Sequence, residues 1–585
     1  MQGRLIENLY ETHEKFSKKN KNILDLIDDD EATHIHLNKL KTVLLVGHRQ
    51  ALIRSMCQRI NLNCYLDEPI NSIAYNRRDF RKRFGVCLDS IKKVTSYDSP
   101  IHQYDLVIID EVEQVLAHLL ASTAKDSPGN LDAFSRIILN SQSVIAMDAD
   151  LGWTSFLTLN AIRSRPSRLP TSNRTEIYIN EFKETSRSYD IYDLKSELIS
   201  QLMLDIASDK RLFVSTNSKK QVDSLRAAIQ EKFPTKRLMA ITSDNSNSKE
   251  VVDFIKNIKI DSKKYDVLIS SPSLGTGIDI TYSENEEFYD CVYGIYEGLI
   301  NTHTEIDQQL SRVRHPKSIK IWISPRVFNF ETNFDVIRSD LLTGNLIANT
   351  ALDYATPLAE QVFTAGSDFL RTAALIISEQ RHSKNNLRLN FIEYKKSQGW
   401  EPKIIKYSVD KKLGLDTLSF GKALEEQQYI QRLLDCNPID QAEFIRIEQA
   451  LDEDARVSQA EYLSFQRMQF ELFYCREIDE AMIKNDARWA LRRQYYAYRR
   501  FMVLEGREKW IQIHRTIPVA HLTKSLSIVS DAESVPMLLK GLFSSTPFYS
   551  NGKFDVEVEF ANSDLLKFGQ LCVRLKSVIE TQLGR

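Results

Sequence analysis

The segment Tyr104–Leu120, YDLVIIDEVEQVLAHLL, runs an apolar stretch directly into two adjacent carboxylates, Asp110 and Glu111. Carboxylates at the end of a buried strand suit phosphate chemistry. Asp110 is placed to hold Mg²⁺, a hard cation that prefers oxygen ligands, and Glu111 to orient or deprotonate an attacking water. A strand that ends in a solvated acidic loop reads the same way, so the pair decides nothing alone.

Three further segments bear on it. VLISSPSLGTGIDI (267–280) is another apolar run leading into a glycine-containing loop. There Gly275, Thr276 and Gly277 allow close backbone approach to a phosphate or sugar, and Asp279 is placed to accept from a ribose hydroxyl. DQQLSRVRHP (307–316) presents Gln308, Arg312 and Arg314 within two helical turns, and paired arginines suit the charge that develops in phosphoryl transfer. VLLVGHRQALIRSM (43–56) is a strand opening onto His48 and Arg49, a basic loop suited to a phosphate backbone. Each segment alone also reads as plain structure or a solvated face.

Such residues need strands that deliver them to one sheet edge. Short apolar runs recur at 42–48, 105–110, 143–150, 176–180, 211–216, 238–244, 265–271, 291–297 and 319–325. Most are continuous, as expected of strands buried on both faces, and helix-period segments such as Lys219–Phe233 lie between them. This alternation predicts parallel sheets covered by helices. The Pro- and Ser-rich stretch Arg163–Asn173 reads as the connection between two α/β units. Beyond about residue 335 helix-compatible stretches dominate, notably Lys422–Leu434 and Ala442–Leu451.

In order and spacing these segments resemble motifs Ia, II, V and VI of superfamily 2 helicases, with SVIAMDAD in the place of motif III and RLFVSTNSKK in that of motif IV. Within that superfamily the chain resembles the origin-of-replication binding proteins, which include herpesvirus initiators and phage and plasmid relatives. VIIDEVEQVLAHL, VIAMDADLG, SSPSLGTGID and QQLSRVR carry the likeness, and Ser311 stands where the family's motif VI has glycine. The likeness covers roughly residues 40–330. It implies ATP-coupled DNA remodelling in replication initiation, with Asp110, Glu111, Gln308, Arg312 and Arg314 at the nucleotide and Mg²⁺ on Asp110. It also implies DNA grips near His48 and Arg49 and near Ser215, Thr216 and Ser271.

The expected architecture is α/β: a RecA-like parallel-sheet domain over 1–165, N-terminally incomplete, a second over 166–335, and a mainly helical domain over 336–585. ATP would lie in the cleft between the first two. A phosphate-binding loop, G-x-x-x-x-G-K-S/T, is expected before motif Ia, but the first 42 residues hold one glycine, Gly3. Either an upstream segment or another subunit carries the loop, or nucleotide chemistry is lost and a DNA-binding or replisome scaffold remains. A translocase of phage defence or repair is a third reading.

Two basic segments are candidate nucleic-acid surfaces, for single strands or an origin duplex. YNRRDFRKRFG (75–85) holds Arg77, Arg78 and Arg81, and DARWALRRQYYAYRRFMVLEGREKW (486–510) sets Arg492 and Arg493 among aromatics. A solvated helix face, or core aromatics with snorkelling arginines, would look the same. Net charge is −2 over 585 residues, so any nucleic-acid surface must be local. The seven cysteines form no CxxC, which argues for reduced thiols and against zinc; no apolar run spans a membrane, and the expected location is the cytoplasm.

Overall fold

The computed structural model describes residues 40–67, 82–94, 103–165 (except 122–123 and 125–126), 175–179, 187–342 (except 247, 275–277, 279 and 283–285), 367–406, 410–452, 457–492, 495, 549–550 and 553–554. Within them the chain forms two compact units, Met1–Glu176 and Ile177–Arg585.

In the first unit the apolar runs become strands. β1 (Val43–Gly47) is wholly buried and lies between β3 (Arg83–Cys87) and β4 (Leu106–Asp110). β2 (Asn63–Cys64) and β5 (Ser143–Met147) close the order β2-β3-β1-β4-β5, every pairing parallel. Parallel neighbours need crossovers. Helices supply them: α1 (Gln50–Arg59), α2 (Val112–Ala117) and α3 (Ser127–Asn140), with α4 (Trp153–Arg163) following β5. β3 falls inside a segment that reads as basic. Its Gly85 explains the fit, since a Cβ there would lie 2.1 Å from the Cys57 sulfur of α1. Arg83 Nη1 donates to the Leu40 carbonyl at 3.0 Å. Arg77, Arg78 and Arg81 lie outside the described residues.

The second unit carries a parallel sheet in the order β12-β6-β11-β10-β7-β9-β8. Its elements are β6 (Ser188–Tyr192), α5 (Lys195–Ala207), β7 (Leu212–Thr216), α6 (Lys219–Lys232), β8 (Leu238–Ile241), β9 (Val267–Ser270), β10 (Cys291–Tyr296), α7 (His303–Leu310) and β11 (Ile319–Ile323). Alternate residues feed opposite cores: Phe213 and Val292 enter one cluster, Val214 and Tyr293 the other. The Ser218 hydroxyl accepts from Gln221 N to start α6, and Thr302 and Glu305 form a capping box on α7.

The helical region then continues with α8 (Ser367–Asn385), α9 (Leu387–Ser397), β12 (Glu401–Ile405), α10 (Lys411–Asp435), α11 (Gln441–Asp452), α12 (Gln459–Tyr474) and α13 (Glu480–Asp486). It is not separate from the second sheet. β12 pairs with β6, and α10 lies across α5 and α6 through two glycines. A Cβ at Gly414 would lie 1.9 Å from the Ser196 carbonyl oxygen, and one at Gly421 2.3 Å from that of Ser224, so only glycine permits this approach. Among the described residues no helix is long and apolar enough to cross a membrane.

The run EIYIN is not a strand. Residues 175–179 have no regular structure, and Ile179 is 67% exposed. β-forming side chains without a partner strand do not make a ladder. Sheet positions go instead to SYDIY and to EPKII, whose proline is tolerated because β12 is an edge.

Candidate active site

In the first unit the acidic pair ends β4 as the sequence implied. Asp110 is the last strand residue and Glu111 turns the chain into α2 at φ 51°, ψ 55°, a left-handed conformation that is uncommon outside glycine. Such outliers persist where the surroundings hold them, and they concentrate at functional sites.

Asp148, just past β5, comes alongside, because Asp110 is in register with Met147. Burial pushes the Asp110 carboxyl above its ordinary range, and the Asp148 charge adds to this; burial raises Asp148 as well. Acids so placed gain from a cation. Among the described residues no group of three or more His, Cys, Asp or Glu could hold a metal, but Mg²⁺ commonly takes one or two carboxylates plus substrate phosphates. Asp110 fits that pattern. Asp148 also ties two motifs together: its oxygens accept from Glu113 N and Asp150 N at 2.9 Å, while Glu113 Oε1 accepts from Gly152 N at 2.6 Å. Sequence reasoning missed Asp148 and Glu113 as site residues. The available signal was an aspartate one position beyond a strand parallel to β4.

His48 corrects an expectation. It follows β1 but is not a cationic grip, because burial and then the charge of Arg49 lower its pKa to about 3. Arg49 Nε donates to His48 Nε2 at 3.0 Å, so the ring proton sits on Nδ1, which lies 3.7 Å from Glu111 Oε2. His48 therefore lies as a neutral ring beside the carboxylate that the sequence marked as base. Linkage gives a test. The folded pKa lies below the unfolded value of 6.5, so the unfolded chain binds the extra proton and the first unit loses stability as pH falls from about 6.5 toward 3. The loss reaches about 2 kcal/mol at pH 5 from a shift of this size. Urea denaturation of wild type and His48→Asn at pH 7 and pH 5 checks this; equal pH dependence in the two refutes it.

The second unit brings motifs V and VI together. Val313 bridges Ile280 in parallel, and Ile280 N donates to the Arg312 carbonyl at 2.8 Å. The turn after α7 thus lies beside the end of the TGID segment. Arg312 is buried, Gln308 half-buried on α7 and Arg314 exposed. Gly275, Thr276, Gly277 and Asp279 lie outside the described residues. Lys395 of α9 forms a buried ion pair with Asp307 at 2.7 Å, so the helical region holds α7 in place.

The other expected grips do not face outward. Ser215 is 1% exposed and its hydroxyl accepts from Tyr296 at 2.8 Å, while Thr216 and Ser271 are equally enclosed. They sit where the sheet is covered on both faces, and so do not reach a phosphate here. Arg492 is fully buried, its guanidinium bonded to Asp486 at 2.7 Å and stacked on Trp489 at 3.4 Å from the ring centroid. It is a core cation and not a nucleic-acid contact. Arg493 lies outside the described residues.

A family model described as "Origin of replication binding protein" matches residues 32–165, the stretch holding β1 through α4. That stretch is similar to the origin-of-replication binding proteins. A protein of African swine fever virus (strain Badajoz 1971 Vero-adapted) named for a helicase/primase complex is 23% identical over 452 residues, 75% of this chain and 40% of that relative. A protein of Acanthamoeba polyphaga mimivirus named for replication origin binding is 24% identical over 300 residues, covering 49% of this chain and 34% of the relative. The chain thus spans well under half the length of these relatives. Among solved structures, Dbp5 of S. cerevisiae bound to RNA and ADP BeF3 aligns over 68% of this chain and 86% of its own, at 11% identity and TM-score 0.35. Mss116p bound to ssRNA and AMP-PNP aligns over 66% and 84%, at 11% identity and TM-score 0.33.

Proposed function

We propose that this chain is the helicase core of a replication-initiation protein, coupling ATP binding and hydrolysis to DNA remodelling. The observation that carries the reading is the end of β4: Asp110 beside Asp148, and Glu111 in a left-handed turn against neutral His48. Asp110 would hold Mg²⁺, which neutralises phosphate charge, and Glu111 would take the proton of the attacking water. Arg312 and Arg314 would meet the γ-phosphate. DNA is the expected partner.

We also propose that the phosphate-binding loop reaches this unit on a further strand, from an upstream segment or another subunit. The edge of β5 supports it. Ile145 and Met147 are 47% and 39% exposed, and Leu151 and Trp153 after them 43% and 54%. Strand edges that face water usually carry charge, proline or a bulge, and SVIAM carries none. A strand added there would end beside Asp110 and Asp148.

The test is phosphate release from ATP with single-stranded DNA. The 585-residue chain is expected to stay near background; joined to a polypeptide that carries the loop, it is expected to hydrolyse ATP, and Asp110→Asn to abolish this. If the joined protein shows no nucleotide affinity, the motor reading fails and a scaffold role takes its place. Origin preference is checked by comparing origin with random duplex; equal affinity favours a general translocase of defence or repair.

A further inference from the structure

We propose that the second unit holds a separate binding site for a phosphorylated nucleoside, in the cavity framed by α6, α10, α12 and the turn 487–489. The cavity has two lobes of about 540 and 290 Å³, which meet at Arg226, Arg432 and Leu463. Ligand pockets occupy roughly this range. None of Gln308, Arg312 or Arg314 lines it, so the inference stands independently of the ATPase reading.

Two guanidinium groups line this space without a close ion pair. The Nε atoms of Arg226 and Arg432 are buried and have no hydrogen-bond acceptor. Their acidic neighbours are distant, Asp223 at 3.7 Å from Arg226 and Glu425 at 4.0 Å from Arg432. Glu425 is itself committed to Arg488. Burial, and then the like charge of Arg226, pull the Arg432 guanidinium below its ordinary range. An anion with several acceptor oxygens between the two arginines would accept from their partly exposed guanidinium groups and screen their repulsion. Phosphate suits the planar guanidinium fork better than a single-acceptor group does. Lys219, which is paired with Asp244, and Lys220 line the same lobe at the serine-capped start of the 14-residue α6.

The remaining wall is aromatic. Tyr429, Tyr462 and Trp489 line the smaller lobe, and Arg488 lies over the Tyr429 ring at 4.4 Å. Arg488 and Trp489 reach it through an unusual backbone: Ala487, Arg488 and Trp489 are consecutive non-glycine residues at φ 46°, 57° and 73°. A run of left-handed residues persists only where its surroundings over-determine it, and such runs mark ligand clamps. Cations beside aromatic rings are what a phosphate joined to a flat base requires. The phosphorylated nucleoside is either a free mononucleotide or one unit of a single strand.

Calorimetry on the 585-residue chain separates these, with deoxyadenosine monophosphate, inorganic phosphate and an oligo-deoxythymidine strand as probes. Deoxyadenosine monophosphate is expected to bind and to be displaced by inorganic phosphate. Arg226→Gln combined with Arg432→Gln is expected to weaken it about tenfold or more, the loss of two charge-assisted hydrogen-bond donors. Arg314→Ala is expected to leave it unchanged. Tyr462→Leu is expected to weaken the mononucleotide but not inorganic phosphate, a split that misfolding would not give. An oligonucleotide that competes for the site and loses affinity with the arginine variant identifies a strand; a mononucleotide effect alone identifies a free ligand. If wild type binds neither nucleotide probe, or if the double variant binds both as well as wild type, the proposal is overturned.

Discussion

Glu111→Gln, in a form of the protein supplied with its phosphate-binding loop, is expected to slow ATP hydrolysis by roughly 10²–10⁴-fold while nucleotide affinity persists. Glutamine keeps the shape of the side chain and removes its basicity. The left-handed backbone at φ 51° is set by the turn from β4 into α2, and glutamine places no greater steric demand on it. His48 Nδ1, 3.7 Å away, can still lie against a neutral amide oxygen. The loss should therefore fall on the chemical step. Single-turnover phosphate release beside nucleotide affinity separates the two quantities. A variant that retains more than a third of the wild-type rate would remove Glu111 from the role of base and leave Asp110 as the only chemical assignment at this edge.

Arg492→Ala is expected to destabilise the helical region by about 3–5 kcal/mol, the usual result of removing one member of a buried ion pair. Both Arg492 and Asp486 are fully enclosed. The arginine donates from Nε at 2.7 Å and from Nη2 at 3.1 Å to the two Asp486 oxygens, and its guanidinium also lies 3.8 Å from the Phe470 ring centroid. Asp486 in turn accepts from Tyr474 and from Trp489 N. Alanine leaves that carboxylate without its counter-charge and opens a void between two rings. Urea unfolding followed by tryptophan fluorescence reads the change, because Trp489 stacks on the guanidinium. An effect below about 1 kcal/mol, with loss of single-strand binding instead, would restore Arg492 to a nucleic-acid surface and overturn its placement in the core.

The strands that matter most were legible because their signal is local. VLLVG and LVIID are continuous apolar runs, and burial on both faces of a parallel sheet asks for little more. The caps Ser218 and Thr302 are likewise local, a hydroxyl three residues before the N–H it accepts from. EIYIN carries the same kind of signal and is not a strand, because a ladder needs a neighbour and no local pattern records one. β6 and β12 went unread for the complementary reason: SYDIY is half polar and EPKII contains proline, yet each finds a partner. The helical region shows the same limit. Gly414 and Gly421 look like weak points in α10 until the backbones of Ser196 and Ser224 are placed against them.

By itself the sequence determined the order of the elements and the chemical types at their ends: acids after β4, arginines after α7, hydroxyls in β7. These follow from side chains and near neighbours along the chain. Tertiary structure alone decided which of those groups carry charge and face solvent. His48 is neutral, Arg492 is internal, Ser215 answers Tyr296, and Asp148 joins Asp110, because desolvation and pairing depend on what folds against a residue from far along the chain.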